Sequence, residues 1–286
     1  MKKISLLFFF SLIVIFSISS CDEIESPYSK TNTPIESTDS NLTRVLIEEF
    51  TGFRCINCPR GARLAHSLAE HYSGRVTIVS IHAGGFASPD EAPYLYDFRT
   101  AVGKELNSYF KVNSYPCGMI NRMTYNSNKV MSSDFWSQAV QDLFGTYNLA
   151  PVKINIAPQF NASTSTIDVK VELEYFEAAP NTHKISVWIT EDNIKYWQKD
   201  EKANPPDVED YIHNGVLRYS FNGAWGDLVS SLELPPNSQI KKEYSYSLPK
   251  SCDWNLENLK IIAFVYDEQQ NGRVLQVAEK KLNLSN

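Results

Sequence analysis

Between Arg44 and Leu149 the apolar positions switch repeatedly between a strand rhythm and a helix rhythm. Arg44–Phe50, RVLIEEF, is a short apolar run with β-branched residues and predicts a strand. Arg60–Tyr72 places Leu64, Leu68 and His71 at spacings of four and three, one face of a helix that Gly74 ends. Arg75–Ala83 is almost wholly apolar or β-branched, the pattern of a strand buried on both faces. After a loop over Gly84–Pro93, Tyr94–Phe110 carries Leu95, Phe98, Val102, Leu106 and Phe110 at helical spacing. NSYPCGMINRM then predicts a strand introduced by Pro116, and TYNSNKV a hairpin. Ser133–Leu149 predicts an amphipathic helix, with Ser132, Ser133 and Asp134 as cap candidates.

Pro151 marks a change of texture. VKINIAPQF, TIDVKVELEYF, HKISVWITED, SYSL and the run from Leu259 to Leu284 alternate with period two, and Gln270-Asn271-Gly272 signals a hairpin. The expectation is an antiparallel β-sandwich of immunoglobulin-like outline over residues 151–286. Tyr196–Leu234 interrupts it as a long segment rich in aromatic and polar residues, among them Tyr211, His213, Arg218, Tyr219, Phe221 and Trp225. That composition suits a binding surface, and equally a segment whose Val216, Leu217, Phe221 and Trp225 cover one sheet edge.

The N-terminus sets the compartment. Two lysines, an apolar run from Ile4 to Ile18 and small residues ending at Cys21 have the layout of a secretory signal peptide, residues 1–20. Small residues closing on a cysteine resemble a bacterial lipobox, which implies a lipidated Cys21 as the mature N-terminus and the membrane as a partner. Residues 22–43 carry twelve Ser, Thr, Pro or Asn in 22 positions and no period, so 21–43 reads as a lipidated cysteine on a flexible tether. DEIE directly after Cys21 resembles the signal that sends some lipoproteins to the cell surface. Removing residues 1–20 takes away Lys2 and Lys3 and no acid, leaving 25 basic against 33 acidic residues. A mildly acidic chain without a basic cluster argues against a nucleic-acid partner.

Export puts Cys55, Cys58, Cys117 and Cys252 in an oxidising compartment, and four cysteines permit three pairings that sequence cannot choose among. Cys55 and Cys58 stand in TGFRCINCPRG, where the first strand gives way to a helix. The order strand, CxxC, helix, strand, helix, proline-led strand, strand, helix over 44–150 resembles the thioredoxin-like fold. In that resemblance Pro116 holds the place of a cis-proline facing the cysteine pair, and Glu49 that of a buried carboxylate. Physically, a helix start favours a thiolate, so Cys55, with an exposed sulfur, is the candidate attacking thiol and Cys58 the resolving one. Arg54 and Arg60 add positive charge nearby. Glu49 could take the proton of Cys58, or lie on the solvent side of a strand where alternation turns only one of Glu48 and Glu49 inward. Arg54 departs from the thioredoxin pattern, in which a tryptophan precedes the first cysteine. Cys117, next to Pro116, offers three readings: an alternative bridge, a third redox thiol, or a packed apolar residue. His82, ending the second strand, is an accessory candidate. With Cys55, Cys58 and Cys117 it would make a tetrahedral zinc set, but only one close ligand pair is present, so no metal and no cofactor is expected.

VLIEEFTGxxCxNCPxG, VSIHAG, YPCGMINR, VWITEDNI and DYIHNGVLRYSFNGAWGD together resemble the Omp28-related outer-membrane lipoproteins. The resemblance implies an outer-membrane lipoprotein with a thioredoxin-like part and a β-rich C-terminal part. Two functions compete: a lipid-anchored thiol–disulfide oxidoreductase acting on thiol- or disulfide-bearing proteins, and a surface binding or adhesion lipoprotein whose CxxC is a structural disulfide. A third option is an assembly factor that holds a partner on its sandwich.

Overall fold

The computed structural model describes residues 41–90 and 92–284. The expected signal peptide, the lipidation candidate Cys21 and the DEIE stretch lie outside the described residues. The fold begins three residues before Arg44: Leu42 bridges Leu149, the amide of Thr43 donates to Asn148 (3.0 Å), and Ala150 donates to Asn41 (2.8 Å). The last residues of the expected tether are therefore pinned against the end of a helix.

The first half runs β1 (Val45–Thr51), α1 (Cys58–His71), β2 (Val76–His82), α2 (Ala101–Tyr109), β3 (Cys117–Ile120), β4 (Met131–Ser132) and α3 (Trp136–Thr146). The second half supplies β5 (Val152–Asn161), β6 (Thr166–Tyr175), β7 (His183–Glu191), β8 (Ile194–Lys199), β9 (Asp207–His213) and β10 (Val216–Ser220). It ends with β11 (Asp227–Leu228), β12 (Gln239–Ser247), β13 (Leu259–Asp267) and β14 (Arg273–Lys281). The molecule is predominantly β.

The two halves share a sheet. β1 runs parallel to β2, pairing Glu49 with Ser80, and antiparallel to β3, pairing Phe50 with Cys117. β10 lies parallel to β2 at Val216–Ser80 and antiparallel to β7, so the order across the sheet is β14-β13-β7-β10-β2-β1-β3-β4. Residues 151–286 thus do not keep to sheets of their own. Tyr196–Leu234, expected as one long loop, supplies the strand that joins the halves. Val216 and Leu217 are fully buried there at the middle of the sheet rather than at an edge. A second sheet, β12-β6-β5, packs on the β7–β13–β14 end around Ile167, Val169, Leu173, Ile185, Val187 and Ile261.

Burial on both faces explains β1. Val45 and Ile47 meet α1 and α3 through Ala65, Leu68, Trp136 and Val140. Leu46 and Phe50 face the opposite core with Leu106, Met119, Trp188 and Phe264. Alternation is kept, yet both carboxylates are inside: Glu48 is 0% and Glu49 1% exposed. Glu48 takes two hydrogen bonds from Arg122, at 2.7 and 2.8 Å, and that guanidinium lies over the rings of Phe264 and Tyr266. A sequence in which only one face of β1 is dry cannot place both.

The helix expected from Tyr94 starts only at Ala101, capped by the Thr100 hydroxyl, which accepts from the amide of Gly103 at 2.9 Å. Tyr94 and Phe98 are held instead by tertiary aromatic packing. Tyr94 stacks on Phe53 with ring centroids 5.4 Å apart, and Phe98 meets His82 at 4.9 Å. The amides of Leu95 and Tyr96 donate to the Tyr196 hydroxyl, so this segment is tied to the β8–β9 hairpin instead of forming a helical turn.

Candidate functional site

β1 ends at Thr51 and the chain turns through Gly52, whose Cα faces the backbone of Phe86 so closely that a Cβ would stand 2.5 Å from it. Cys55 donates its amide to Gly52 (3.0 Å), and Cys58 donates to Cys55 (3.2 Å), a tight turn that brings the sulfurs together. Cys55 and Cys58 form a disulfide with Cα atoms 5.3 Å apart. α1 begins at Cys58 with Pro59 in its first turn, where a missing amide proton costs nothing. Cys55 therefore precedes the helix rather than opening it.

The sulfur expected at the surface is covered. Cys55 is 3% and Cys58 1% exposed. The cover is the β8–β9 hairpin. Lys199 donates its amide to Phe53 (2.8 Å), Glu201 to Ile56 (3.0 Å), and the Gln198 side chain to the carbonyl of Cys55 (3.0 Å). Arg63 on α1 pairs with Asp200 at 2.6 Å. Neither cation expected to help the thiolate is free: Arg54 pairs with Asp90 at 2.6 Å and Arg60 with Asp134 at 3.1 Å.

Behind the disulfide lies a cavity of about 370 Å³, lined among others by Cys58, Glu49, Ser80, His82, Gln198 and His213. Glu49 reaches it from β1. Burial pushes its carboxyl up to about 8, offset in part by the Ser80 hydroxyl, which donates to Oε2 at 3.3 Å. Its other oxygen, Oε1, has no hydrogen-bond partner. Burial holds His82 well below its ordinary value, with His213 and Arg218 adding to the effect, and holds His213 down at about 4. His82 Nδ1 is buried without a partner among the described residues, and its ring packs on Phe98 and His213.

The Tyr115–Pro116 bond is cis, and Pro116 abuts α1 at Gly61. A Cβ on Gly61 would stand 2.9 Å from Pro116 and 3.0 Å from Glu49 Oε1. Cys117 is a free, buried thiol in the core with Phe50 and Met119. Burial, helped by Glu49, pushes it up to about 12, so it packs as a neutral group and makes no alternative bridge. Cys252 is free and half-buried. With Cys55 and Cys58 joined, the zinc set dissolves, and no group of three or more His, Cys, Asp or Glu among the described residues is placed to hold a metal.

Sequence reasoning named Cys55, Cys58, Glu49, Pro116, Cys117 and His82, and all of them lie around this turn and cavity or directly beside it. It missed Gln198, Ser80 and Asp200, which carry no motif. Tyr211 and His213 were visible only as part of an aromatic, polar segment.

Residues 103–286 match the family described as outer membrane protein Omp28. The chain belongs to the Omp28 family. That assigns it to the outer membrane. The matched span begins inside α2, so Cys55 and Cys58 stand on their own geometry. No helix among the described residues is long and apolar enough to cross a membrane. None of the curated proteins searched matches the chain. Among solved structures, HBP35 of Porphyromonas gingivalis is 16% identical, with 85% of this chain and 76% of that one aligned and a TM-score of 0.65. A protein of Agrobacterium tumefaciens is 11% identical over 86% and 97%, TM-score 0.50. A domain of the outer membrane lipoprotein Omp28 from Porphyromonas gingivalis is 23% identical over 48% and 92%, TM-score 0.32. At these identities the first two are likenesses of fold alone.

Proposed function

We propose that this Omp28-family protein is a lipid-anchored thiol–disulfide oxidoreductase, held at the outer membrane by Cys21, with a thioredoxin-like N-terminal part and an immunoglobulin-like sandwich behind it. The order β2-β1-β3-β4 with α1 beginning at the second cysteine of the pair supports the thioredoxin-like reading. The observation that carries the function is the shared cavity of Cys58 and Glu49, lined by one cysteine of the disulfide and by a carboxyl that burial pushes up to about 8.

The chemistry balances within these residues. A substrate thiolate attacks Sγ of Cys55, the Cys55–Cys58 bond breaks, and Cys58 leaves with the electron pair and takes a proton from Glu49. A second substrate thiol then attacks the substrate sulfur of the mixed disulfide and expels Cys55, which takes up that thiol's proton. The substrate dithiol is oxidised by two electrons and the cysteine pair is reduced; the reverse sequence reduces a substrate disulfide, with Glu49 as the proton acceptor of Cys58.

Burial of both cysteines favours a second reading, a structural staple in a surface-binding lipoprotein. Trapping separates the two. Cys58→Ser in the full chain is expected to accumulate mixed disulfides between Cys55 and protein thiols, visible on non-reducing gels and lost with Cys55→Ser. A wild-type disulfide that survives strong reductant in the folded state, with no trapped adducts, would establish the staple.

A further inference from the structure

Among the described residues, the β8–β9 hairpin pairs with itself and with no other strand. It leaves β7 at Asp192–Asn193 and enters β10 at Asn214–Gly215, and both junctions hold left-handed residues, Asn193 at φ 57 and Gly215 at φ 63. Two bonds close this neck: Asn193 donates its amide to the Asn214 side chain (2.9 Å), and Gly215 to that of Asp192 (2.7 Å). Beyond the neck, the hairpin meets the disulfide turn through the amides of Lys199 and Glu201 on Phe53 and Ile56, the Gln198 side chain on Cys55 and Gly52, and the Arg63–Asp200 pair. It also holds the segment before α2: the Tyr196 hydroxyl accepts from the amides of Leu95 and Tyr96 and donates to Pro93, Tyr94 donates to Asp207, and Tyr196 and His213 pack on Phe98. A strand pair whose backbone joins no strand of the main sheet, held beyond its neck by two amides and by side chains, with solvent on much of β9, is a unit that can open without unfolding the sheet.

We propose that the β8–β9 hairpin is a hinged cover over Cys55–Cys58, and that its lifting from the Cys55 carbonyl controls when a thiol reaches the disulfide. This is a regulation of the oxidoreductase site and takes its biological purpose from that reading, whereas the motion itself does not depend on it. The carbonyls that the hairpin occupies belong to the turn bearing the pair, so a substrate segment must displace the hairpin to lie there.

Two measurements on the full chain test it. In native-state hydrogen exchange of the wild type, amides of residues 194–213 are expected to exchange through an opening that leaves β1, β2 and β7 protected. Exchange of the hairpin only together with those strands would overturn the gate. In the second, Gln198→Ala with Asp200→Asn removes two of the latching contacts and is expected to raise the rate of disulfide reduction by dithiothreitol about ten-fold, while the variant keeps a cooperative thermal transition. An unchanged rate in the folded variant would overturn it as well. Should that variant not fold, hydrogen exchange of the wild type decides alone. Failure of the oxidoreductase reading shows separately: the variant would be reduced rapidly, yet its reoxidised form would transfer no disulfide to a reduced protein dithiol.

Discussion

The side chain of Gln198 donates a hydrogen bond to the backbone carbonyl of Cys55 at 3.0 Å across 143 residues of chain. The environment of the CxxC turn is therefore completed by the C-terminal half. A chain ended at residue 150 loses this bond together with β10, which lies against the open edge of β2. It also exposes Leu46, Val79 and Phe50, which pack in one cluster with Trp188, Leu217 and Phe264. Fragment 41–150 is expected to lose the sharp thermal transition of the full chain and to have its disulfide reduced faster, as followed by circular dichroism and thiol titration.

Glu49 is expected to make the fold less stable as pH rises. Its folded value, about 8, lies above the ordinary 4.5, so the native state keeps a proton that the unfolded chain gives up. Its contribution is full below about 4.5, falls away through neutral pH, and levels off above 8. Glu49→Gln should remove that slope and gain on the order of 3 kcal/mol relative to wild type on going from pH 4.5 to pH 7. Urea unfolding at several pH values checks it. The same variant should slow disulfide exchange if Glu49 handles the proton of Cys58.

His213 acts with the opposite sign. Burial keeps its folded value down at about 4, below the ordinary 6.5, so its stability contribution is present above 6.5 and is lost as pH falls. The loss between pH 6.5 and pH 5 should be about 2 kcal/mol. His213→Gln should flatten this acid limb in urea titrations, and wild-type behaviour in the variant would contradict the assignment.

Arg122 and Glu48 are both almost fully buried, at 2% and 0% side-chain exposure. Removing one partner leaves a charge in an apolar core, so Arg122→Ala should cost about 3–5 kcal/mol in denaturant unfolding. Replacing both together, Arg122→Met with Glu48→Gln, should cost distinctly less, because no charge is stranded.

The anchor is tested apart from the site. Cys21→Ser is expected to release the protein from membranes or to block its processing. Fractionation and the mass of the mature N-terminus decide. For the DEIE proposal, alanine at Asp22, Glu23 and Glu25 should move the protein from the surface to the periplasmic leaflet, read by protease shaving of whole cells.

Local chemistry was legible in the chain. β-branched runs located β1, β2 and β13, the spacing of Leu64 and Leu68 located α1, and Asn271-Gly272 located the last hairpin, because period and turn preference are properties of short segments. The cysteine spacing likewise announced a pair that a single turn closes. What the pair meets was decided elsewhere. Phe53 draws Tyr94 and Phe98 out of a helical rhythm, because stacking on a shared cluster outweighs local propensity. Glu48 and Glu49 are both inside because strands from residues 151–286 extend the sheet and close its second face. Cys55 is shut off because β8–β9, 143 positions downstream at Gln198, folds back over it. Periodicity records which side of a segment is dry, and it carries no information about which distant segment makes it so; that pairing is fixed only when the sheet assembles around β10.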